Sequence, residues 1–154
     1  MNPNTLLSKL SDKMINDYLD IQSGEVIDMG LEIDLAVNKN ESQSDIMQTV
    51  IQDVTTYFDF NKRKMGDPLL VGGLHKIIAS VSGVENVIDI RVYNLIGGQY
   101  SSAETSMAYA DAETKLIQSV DDTIFAQPSQ VYQIRYPGKD IRISVKNFQN
   151  VSFS

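Results

Sequence analysis

The feature that most constrains this chain is a strict alternation of residue types between positions 28 and 37. Met29, Leu31, Ile33, Leu35 and Val37 are apolar, and Asp28, Gly30, Glu32, Asp34 and Ala36 lie between them. Successive side chains of a β-strand point to opposite faces of the sheet, so this period of two predicts a long strand with one apolar face. Other elements must cover that face.

Two later segments have helical spacing and predict such a cover. Ser42 or Ser44 can cap the first helix, whose apolar side comprises Ile46, Met47, Val50, Ile51, Val54, Tyr57 and Phe58. Pro68 suits the first turn of the second helix, whose core side comprises Leu70, Leu74, Ile77, Ile78 and Val81, with Gly83 at its end. A further helix, capped by Asn4, is predicted from Thr5 to Ile21.

Alternation returns in the second half of the chain. The segment Val87 to Leu95 predicts a strand with Ile88, Ile90 and Val92 on one face and Asp89, Arg91 and Tyr93 on the other. Residues 98–130 show no clear period, and we expect an irregular segment with a short helical turn or strand between Ala108 and Val120. Tyr132 to Tyr136 and Ile141 to Val145 alternate on either side of Pro137-Gly138-Lys139-Asp140, which predicts a β-hairpin.

This order of elements predicts an α+β fold. We expect a small mixed β-sheet, two to three helices packed on one face, and a C-terminal β-hairpin. The 154 residues suit a single domain, 1–154. Its parts are an N-terminal helix (1–24), a β-α-α-β core (25–97), an irregular segment (98–130) and the hairpin (131–146).

Charge and composition exclude several functions. The net charge of −7 and the sequence pI near 4.6 argue against nucleic-acid binding, which depends on lysine and arginine neutralising phosphates. The absence of cysteine excludes disulfides and thiolate catalysis. We find no apolar stretch long enough to span a bilayer and no signal-peptide pattern at the N-terminus, so we expect a soluble protein that is made in the cytoplasm.

No motif points to catalysis, a cofactor or a metal. The single histidine, His75, is expected on the exposed side of its helix and has no partner serine or acid in a recognisable motif. Asp28, Glu32 and Asp34 share one strand face, but their spacing is not that of a calcium loop, and we interpret them as solvated or ion-paired.

Two other patterns have structural explanations. The pairs Gly72-Gly73 and Gly97-Gly98 lack the form of a phosphate-binding loop. The run Lys62-Arg63-Lys64 is too short for a nucleic-acid patch on so acidic a chain, and the carboxylates of a partner are its better target.

The predicted hairpin contains a conflict. If Tyr136 pairs with Ile141, then Arg135 lies directly opposite Arg142, and like charges across a ladder are destabilising. We therefore expect an acidic group there, either Asp28, Glu32, Asp34 or Asp89 of this chain or a carboxylate of a neighbouring subunit. On this hypothesis the face is covered or paired in an assembly.

The middle of the chain resembles a known family. The residues concerned are Val50-Ile51-Gln52-Asp53-Val54-Thr55-Thr56-Tyr57-Phe58-Asp59-Phe60, then Gly66-Asp67-Pro68, the helix Leu74 to Val81, and Ser82-Gly83-Val84-Glu85-Asn86-Val87-Ile88-Asp89-Ile90. Ile124-Phe125 and Tyr132 to Ile141 complete the pattern. Together they resemble the baseplate J-like family, in particular the C-terminal domain of the baseplate wedge protein of contractile-tailed bacteriophages. The resemblance covers about residues 26–145.

The resemblance implies a structural role and no enzymatic activity. It implies a homo-oligomer, with a dimer expected, that contacts other baseplate wedge proteins and binds no nucleic acid, membrane, cofactor or small-molecule substrate. The location would be the tail baseplate of the virion, assembled in the host cytoplasm. We take Arg135, Arg142, Tyr132, Tyr136, Phe148 and Phe153 as candidate subunit-interface residues. Members of the family are usually longer, so the chain is either a C-terminal fragment or a shortened relative.

Two other functions stay open at this point. The chain could be a free-standing α+β module that binds a small ligand or regulates, with the segment Gln99 to Gln130 as a lid. A small hydrolase is the third possibility. An assembly domain should be oligomeric at micromolar concentration, whereas a ligand module should gain thermal stability when its ligand is added.

Overall fold

The computed structural model describes residues 24–146, except for the side chain of Phe60. The elements, in chain order, are β1 (Glu25–Val37), α1 (Gln43–Tyr57), a 3-10 turn (Phe60–Lys62), β2 (Leu69–Leu70), α2 (Val71–Ala79), β3 (Val84–Asn94), β4 (Tyr109–Asp111), β5 (Leu116–Ile117), β6 (Thr123–Ile124), β7 (Gln130–Gln133), α3 (Pro137–Asp140) and β8 (Ile141–Lys146). The helix expected at 5–21 and the residues Phe148 and Phe153 lie outside the described part of the chain.

β1 is the central strand of a mixed sheet. It pairs antiparallel with β3 on one side, and the sheet continues from β3 through β5 to β4. On its other side β1 pairs in parallel with β7 along residues 25–28 and with β8 along residues 31–36. The predicted α+β class, with a mixed sheet and helices, is confirmed.

The apolar face of β1 forms the core, as its alternation predicted. Leu31, Ile33 and Leu35 are fully buried. α1 places Ile46, Val50 and Val54 against the core, and α2 adds Leu74 and Ile78. Full burial of one such side chain contributes about 1.5–3 kcal/mol. The predicted start of α1 is also confirmed, because the Ser42 Oγ accepts the Asp45 N–H at 3.3 Å.

The second helix begins later than Pro68. Leu69 and Leu70 instead form β2, which pairs with β6, so Leu69 is buried and Leu70 is 45% exposed. The prediction that Leu70 faces the core was therefore wrong. α2 then starts at Val71, and the Asp122 carbonyl accepts the first N–H groups of the helix, from Val71 at 2.8 Å and Gly72 at 3.4 Å.

A bulge changes the orientation of residues in the second long strand. The pairing of β1 with β3 shifts between Asp34 and Leu35, so that Leu35 lies opposite Val87 and Ile88 has no partner on β1. Val87 consequently faces the core, and Ile88 is 38% exposed. The sequence had placed Ile88 on the apolar face with Ile90 and Val92.

The predicted C-terminal hairpin was wrong. β7 and β8 do not pair with each other; both add to the same side of β1, in parallel with it. Between them Pro137 starts the single helical turn α3, and the Asp140 carboxylate accepts the Tyr136 N–H at 3.3 Å. Because the chain advances along β1 instead of reversing, Arg135 and Arg142 do not face each other, and Arg142 lies beside Glu32.

The segment predicted to be irregular, 98–130, contains the short strands β4, β5 and β6. The strand expected between Ala108 and Val120 is confirmed by β4 and β5. Within residues 24–146, no helix has the length and apolar character needed to cross a membrane.

Candidate functional site

The face of β1 opposite the core carries a network of charges centred on Arg91. Its guanidinium contacts Asp34 at 3.0 Å, Asp89 at 2.6 Å and Glu32 at 3.2 Å. Glu32 also accepts the Tyr93 hydroxyl at 2.7 Å and pairs with Arg142 at 3.0 Å. The cross-strand register explains the network, because Glu32 lies opposite Arg91 on one neighbour and opposite Arg142 on the other.

This network shifts the ionisation of its members. The Tyr93 hydroxyl, together with Arg91 and Arg142, holds the pKa of Glu32 below its ordinary value, against the opposing effect of burial. Hydrogen bonding from Arg91 lowers the pKa of Asp34. Of the three carboxylates that we interpreted as solvated or ion-paired, Glu32 and Asp34 are ion-paired. Glu32 also pairs with Arg142, although the opposition of Arg135 and Arg142 that led us to expect an acidic partner does not occur.

Asp28 belongs to a different site, although it shares the face of Glu32 and Asp34. Its side chain is fully buried and accepts the Ser101 N–H and the Gln133 amide, each at 2.6 Å. Asp28 therefore fixes the start of the segment 99–109 across the end of the sheet.

Further polar contacts hold the same segment. The Asn94 Oδ1 accepts the Thr105 N–H and the Tyr109 hydroxyl, both at 2.8 Å. The hydroxyl groups of Thr105 and Tyr132 are 2.7 Å apart, and the Gln130 amide donates to the Glu104 carbonyl at 3.1 Å. These hydrogen bonds argue against the hypothesis that the segment acts as a lid, because a lid must open at a small cost in free energy.

Tyr100 and Asp140 connect this segment to α3. The Tyr100 hydroxyl donates to the Asp140 carboxylate at 2.6 Å, which raises the pKa of Tyr100 to about 12. The Tyr100 and Tyr136 rings pack edge to face, and the Lys139 ammonium lies over both of them. These aromatic and charged contacts stabilise the turn that carries the chain from β7 to β8.

Arg63 is used within its own loop. Its guanidinium lies over the rings of Tyr57 and Phe58 and donates to the carbonyls of Asp67 and Pro68. The expectation that the run 62–64 serves a partner's carboxylates is therefore wrong for Arg63, whose charge holds the loop between the 3-10 turn and β2.

An open groove of about 520 Å³ follows the outer edge of β3. Its lining comprises Val71, Gly72, His75, Lys76, Val87, Ile88, Asp89, Ile90, Ser119 and Asp122. His75 is exposed, as its helical position predicted. Among the described residues no hydrogen bond joins His75 to Ser119, Asp89 or Asp122, and Asp89 is engaged by Arg91.

Beside the groove, exposed apolar side chains are neighbours. Leu70 and Val120 both pair with Thr123, so the three side chains form a row on the outer side of β2 and β6, where Leu70 is 45% and Val120 49% exposed. Phe125, 54% exposed, lies two residues beyond Thr123, the spacing that returns a strand to the same side. We refer to Leu70, Val120 and Phe125 as the apolar margin.

The apolar margin depends on an unusual turn. Asp121 and Asp122 both have positive φ, and Val120 and Thr123 exchange two backbone hydrogen bonds of 2.9 Å. Aspartate tolerates this conformation better than most residues. The turn at Asp121-Asp122 thus sets the position of Val120, and the Asp122 carbonyl caps α2.

The six candidate interface residues differ in their exposure to solvent. Arg135, Tyr136 and Arg142 are exposed. Tyr132 is fully buried in the core and hydrogen-bonded to Thr105, so the expectation that it contacts a subunit was wrong. Phe148 and Phe153 lie beyond the described residues.

No group of three or more His, Asp or Glu side chains between residues 24 and 146 is placed to share a metal ion. Comparison of the sequence with models of protein families finds no match, and comparison with characterised proteins finds none either.

Proposed function

We propose that the chain is an assembly domain of a contractile-tail baseplate, a wedge component that associates with itself and with neighbouring wedge proteins and catalyses no reaction. The family part of this proposal rests on the sequence resemblance. The structure supports the assembly part chiefly through one observation, the apolar margin.

Contiguous exposed apolar side chains are typical of protein contact sites, whereas single ones are ordinary on any surface. Leu70 and Val120 adjoin the same residue, Thr123, and the groove begins at the neighbouring Val71 and Asp122. A partner could bury these side chains together.

The pieces of the resemblance occupy adjoining parts of the fold. Val50–Phe58 forms the end of α1, and the helix 74–81 and the residues 82–90 correspond to α2 and β3. Gly83 between them has a φ of +94°, and a Cβ there would approach Ile46 to 2.6 Å. The glycine of the resembling segment is thus required by the close contact of α1 with the start of β3.

The ligand-binding alternative finds less support. The first part of its lid, Gln99 to Gln130, is held where the Asp28 carboxylate accepts the Ser101 N–H and the Asn94 Oδ1 accepts the Thr105 N–H. The groove is open along the β3 edge and lacks the enclosed, mostly apolar walls that bind small molecules.

Sedimentation velocity of the full chain over a micromolar concentration range tests the proposal. We expect oligomers, and no change in thermal stability with a panel of metabolites. A monomer at every concentration that is stabilised by a metabolite would support the ligand module and refute the assembly role.

The exposed interface candidates give a second test. We expect the double variant Arg135→Glu and Arg142→Glu to weaken self-association, and circular dichroism separates this from unfolding, because Arg142→Glu also removes the ion pair with Glu32. The control double variant, Lys39→Glu and Lys62→Glu, makes the same charge change at exposed loop positions. Equal effects of the two pairs would show that net charge, and not this surface, controls association.

A further inference from the structure

The outer edge of β3 has backbone groups with no strand partner. Within residues 24–146 this edge pairs only at Tyr93, with Leu116 of β5, and the Asn94 N–H donates to the Lys115 carbonyl at 3.0 Å. Hydrogen-bonding directions alternate along a strand, so the backbone of Ile90 points to the same outer side as that of Asn94. Such an edge is a template for another strand.

The path of the chain after β5 leaves space beside this edge. The Gln118 N–H bonds to the Ala108 carbonyl, and the chain then reverses at Val120–Thr123 instead of continuing along β3. The space left is the groove, with β3 residues 87–90 along one side and α2 and the 119–122 turn around it. An added strand would lie about 4.8 Å from β3, in line with β5.

Charge indicates the kind of strand that fits. Two carboxylates, Asp89 and Asp122, line the groove with the single ammonium of Lys76, and Asp89 is also paired with Arg91, which lies outside the lining. Asp121 and Glu85 are exposed nearby, and the whole chain carries a net charge of −7. A second copy of this edge would bring the same carboxylates together, whereas a basic segment would be attracted and guided to the groove.

We propose that the groove receives an extended, basic segment of a second protein, which adds to β3 as a new strand and places an apolar side chain on Ile88. This mode of recognition uses backbone hydrogen bonds for affinity and alternate side chains for specificity. The proposal deepens the assembly role and rests on it, because it states how one partner is held.

The charges on the β8 edge of the sheet differ from those beside β3, and this difference explains why a basic segment would bind at β3. β8 also has an unpaired outer edge within the described residues, but it carries the exposed cations Arg142 and Lys146. Cations on an edge strand discourage further pairing and repel a basic segment. Of these two edges in residues 24–146, that of β3 combines free backbone groups with neighbouring carboxylates and the exposed Ile88.

A short peptide of alternating lysine and valine is a suitable probe for the full chain. We expect it to bind and to slow hydrogen exchange of the Ile90 amide, which points to the outer side of β3. A peptide with glutamate in place of lysine should not bind, and one with a central proline should bind at least about tenfold more weakly, because proline removes a donor and interrupts pairing. Equal binding of the proline peptide, or protection on β8 instead, would overturn the proposal.

Variants of the chain provide matched controls. Ile88→Lys should weaken binding by about tenfold, whereas Ile96→Lys, at an exposed position outside the groove lining, should not. Asp122→Asn should weaken binding by about threefold, and Asp121→Asn, outside the groove lining, should weaken it less. Both aspartates have positive φ, which asparagine also tolerates. Equal effects within either pair would contradict binding in the groove.

Hydrogen exchange of the chain without peptide shows whether the chain itself or a second copy covers the β3 edge. If the Ile90 amide, which points to the outer side, is protected at every concentration, the chain itself covers the edge, and if its protection rises with concentration, a second copy does. Either result overturns this proposal. The assembly role is judged separately by sedimentation, so an oligomer whose β3 edge binds no probe would refute only the strand addition.

Discussion

The two faces of β1 are built from alternate residues of one strand but are stabilised differently. On one face Leu31, Ile33 and Leu35 are fully buried under the helices, and on the other Glu32 and Asp34 form ion pairs around Arg91 at the solvent boundary. Burial of apolar area is the larger contribution, whereas partly exposed ion pairs contribute about 1 kcal/mol or less each. The comparison implies that the apolar face determines stability and the polar face determines pairing between strands.

Neighbouring residues of β1 provide the sharpest contrast. Leu31→Ala should lower the free energy of unfolding by about 2–5 kcal/mol, because it leaves a cavity in the core. Glu32→Ala should lower it by only about 1 kcal/mol. Urea denaturation measures both values, and equal losses would contradict the comparison.

A substitution at the contact between α1 and the start of β3 should lower the free energy of unfolding nearly as much. Gly83→Ala introduces a Cβ that would lie 2.6 Å from Ile46 and Glu41 atoms, at a φ of +94°. We expect a loss of about 2–4 kcal/mol from backbone strain and overpacking. Gly138→Ala is the control, since nothing lies within 4 Å of its Cβ position. Thermal unfolding of the two variants tests this difference. Equal stability of Gly83→Ala and Gly138→Ala would mean that α1 packs loosely against the start of β3.

Asp28 is the exception on the polar face, because it is fully buried. Asp28→Ala should cost about 1–3 kcal/mol, since the Ser101 N–H and the Gln133 amide lose their acceptor. Amide exchange should accelerate locally in residues 99–105. Glu85→Ala, at an exposed position of β3, should change neither property. Unaltered exchange in Asp28→Ala would show that this carboxylate does not hold the segment.

Acid should affect the polar face selectively. The folded-state pKa values of Glu32 and Asp34 lie below their ordinary values of 4.5 and 3.8. Their stabilisation is therefore present above those ordinary values and is lost as the pH falls through the lower, folded-state values. Denaturation across this pH range should show a smaller loss in Arg91→Met, which lacks the main partner. The same pH dependence in both proteins would contradict the role of Arg91.

The smallest effect is expected at alkaline pH. The pKa of Tyr100 is raised from 10.0 to about 12 by its hydrogen bond to Asp140. A raised folded-state pKa means that the stabilisation is complete below pH 10 and is lost as the pH rises through about 12. Tyrosine absorbance titration of the wild type and of Tyr100→Phe checks this; the wild type should contain one additional late-titrating tyrosine, and its absence would contradict the bond.

Local periodicity predicted the elements on the apolar side. The alternation at 28–37, the Ser42 cap and the helical spacing of Ile46, Val50 and Val54 each depend on residues close together in sequence, and the structure confirms all three. The interpretation of Glu32 and Asp34 as ion-paired was also within reach of the sequence, since their strand face was known.

Contacts between distant residues explain what the sequence did not reveal. Ser101 lies 73 residues beyond Asp28, and no pattern links them. The hairpin prediction failed because alternation specifies a strand but not its partner, and Tyr136 to Asp140 could form either a tight turn or the helical turn α3. The exposure of Ile88 required a bulge opposite Leu35, which likewise depends on the partner strand.

Labelling of virions tests the central claim most directly. Antibodies raised against the full chain would be applied, with gold-conjugated secondary antibodies, to the contractile-tailed particles that the proposal expects the encoding genome to produce, and viewed by electron microscopy. We predict label at the baseplate end of the contractile tail and none on the head. Label elsewhere on the particle, or intact particles from which the protein is absent by mass spectrometry, would contradict a role in the baseplate.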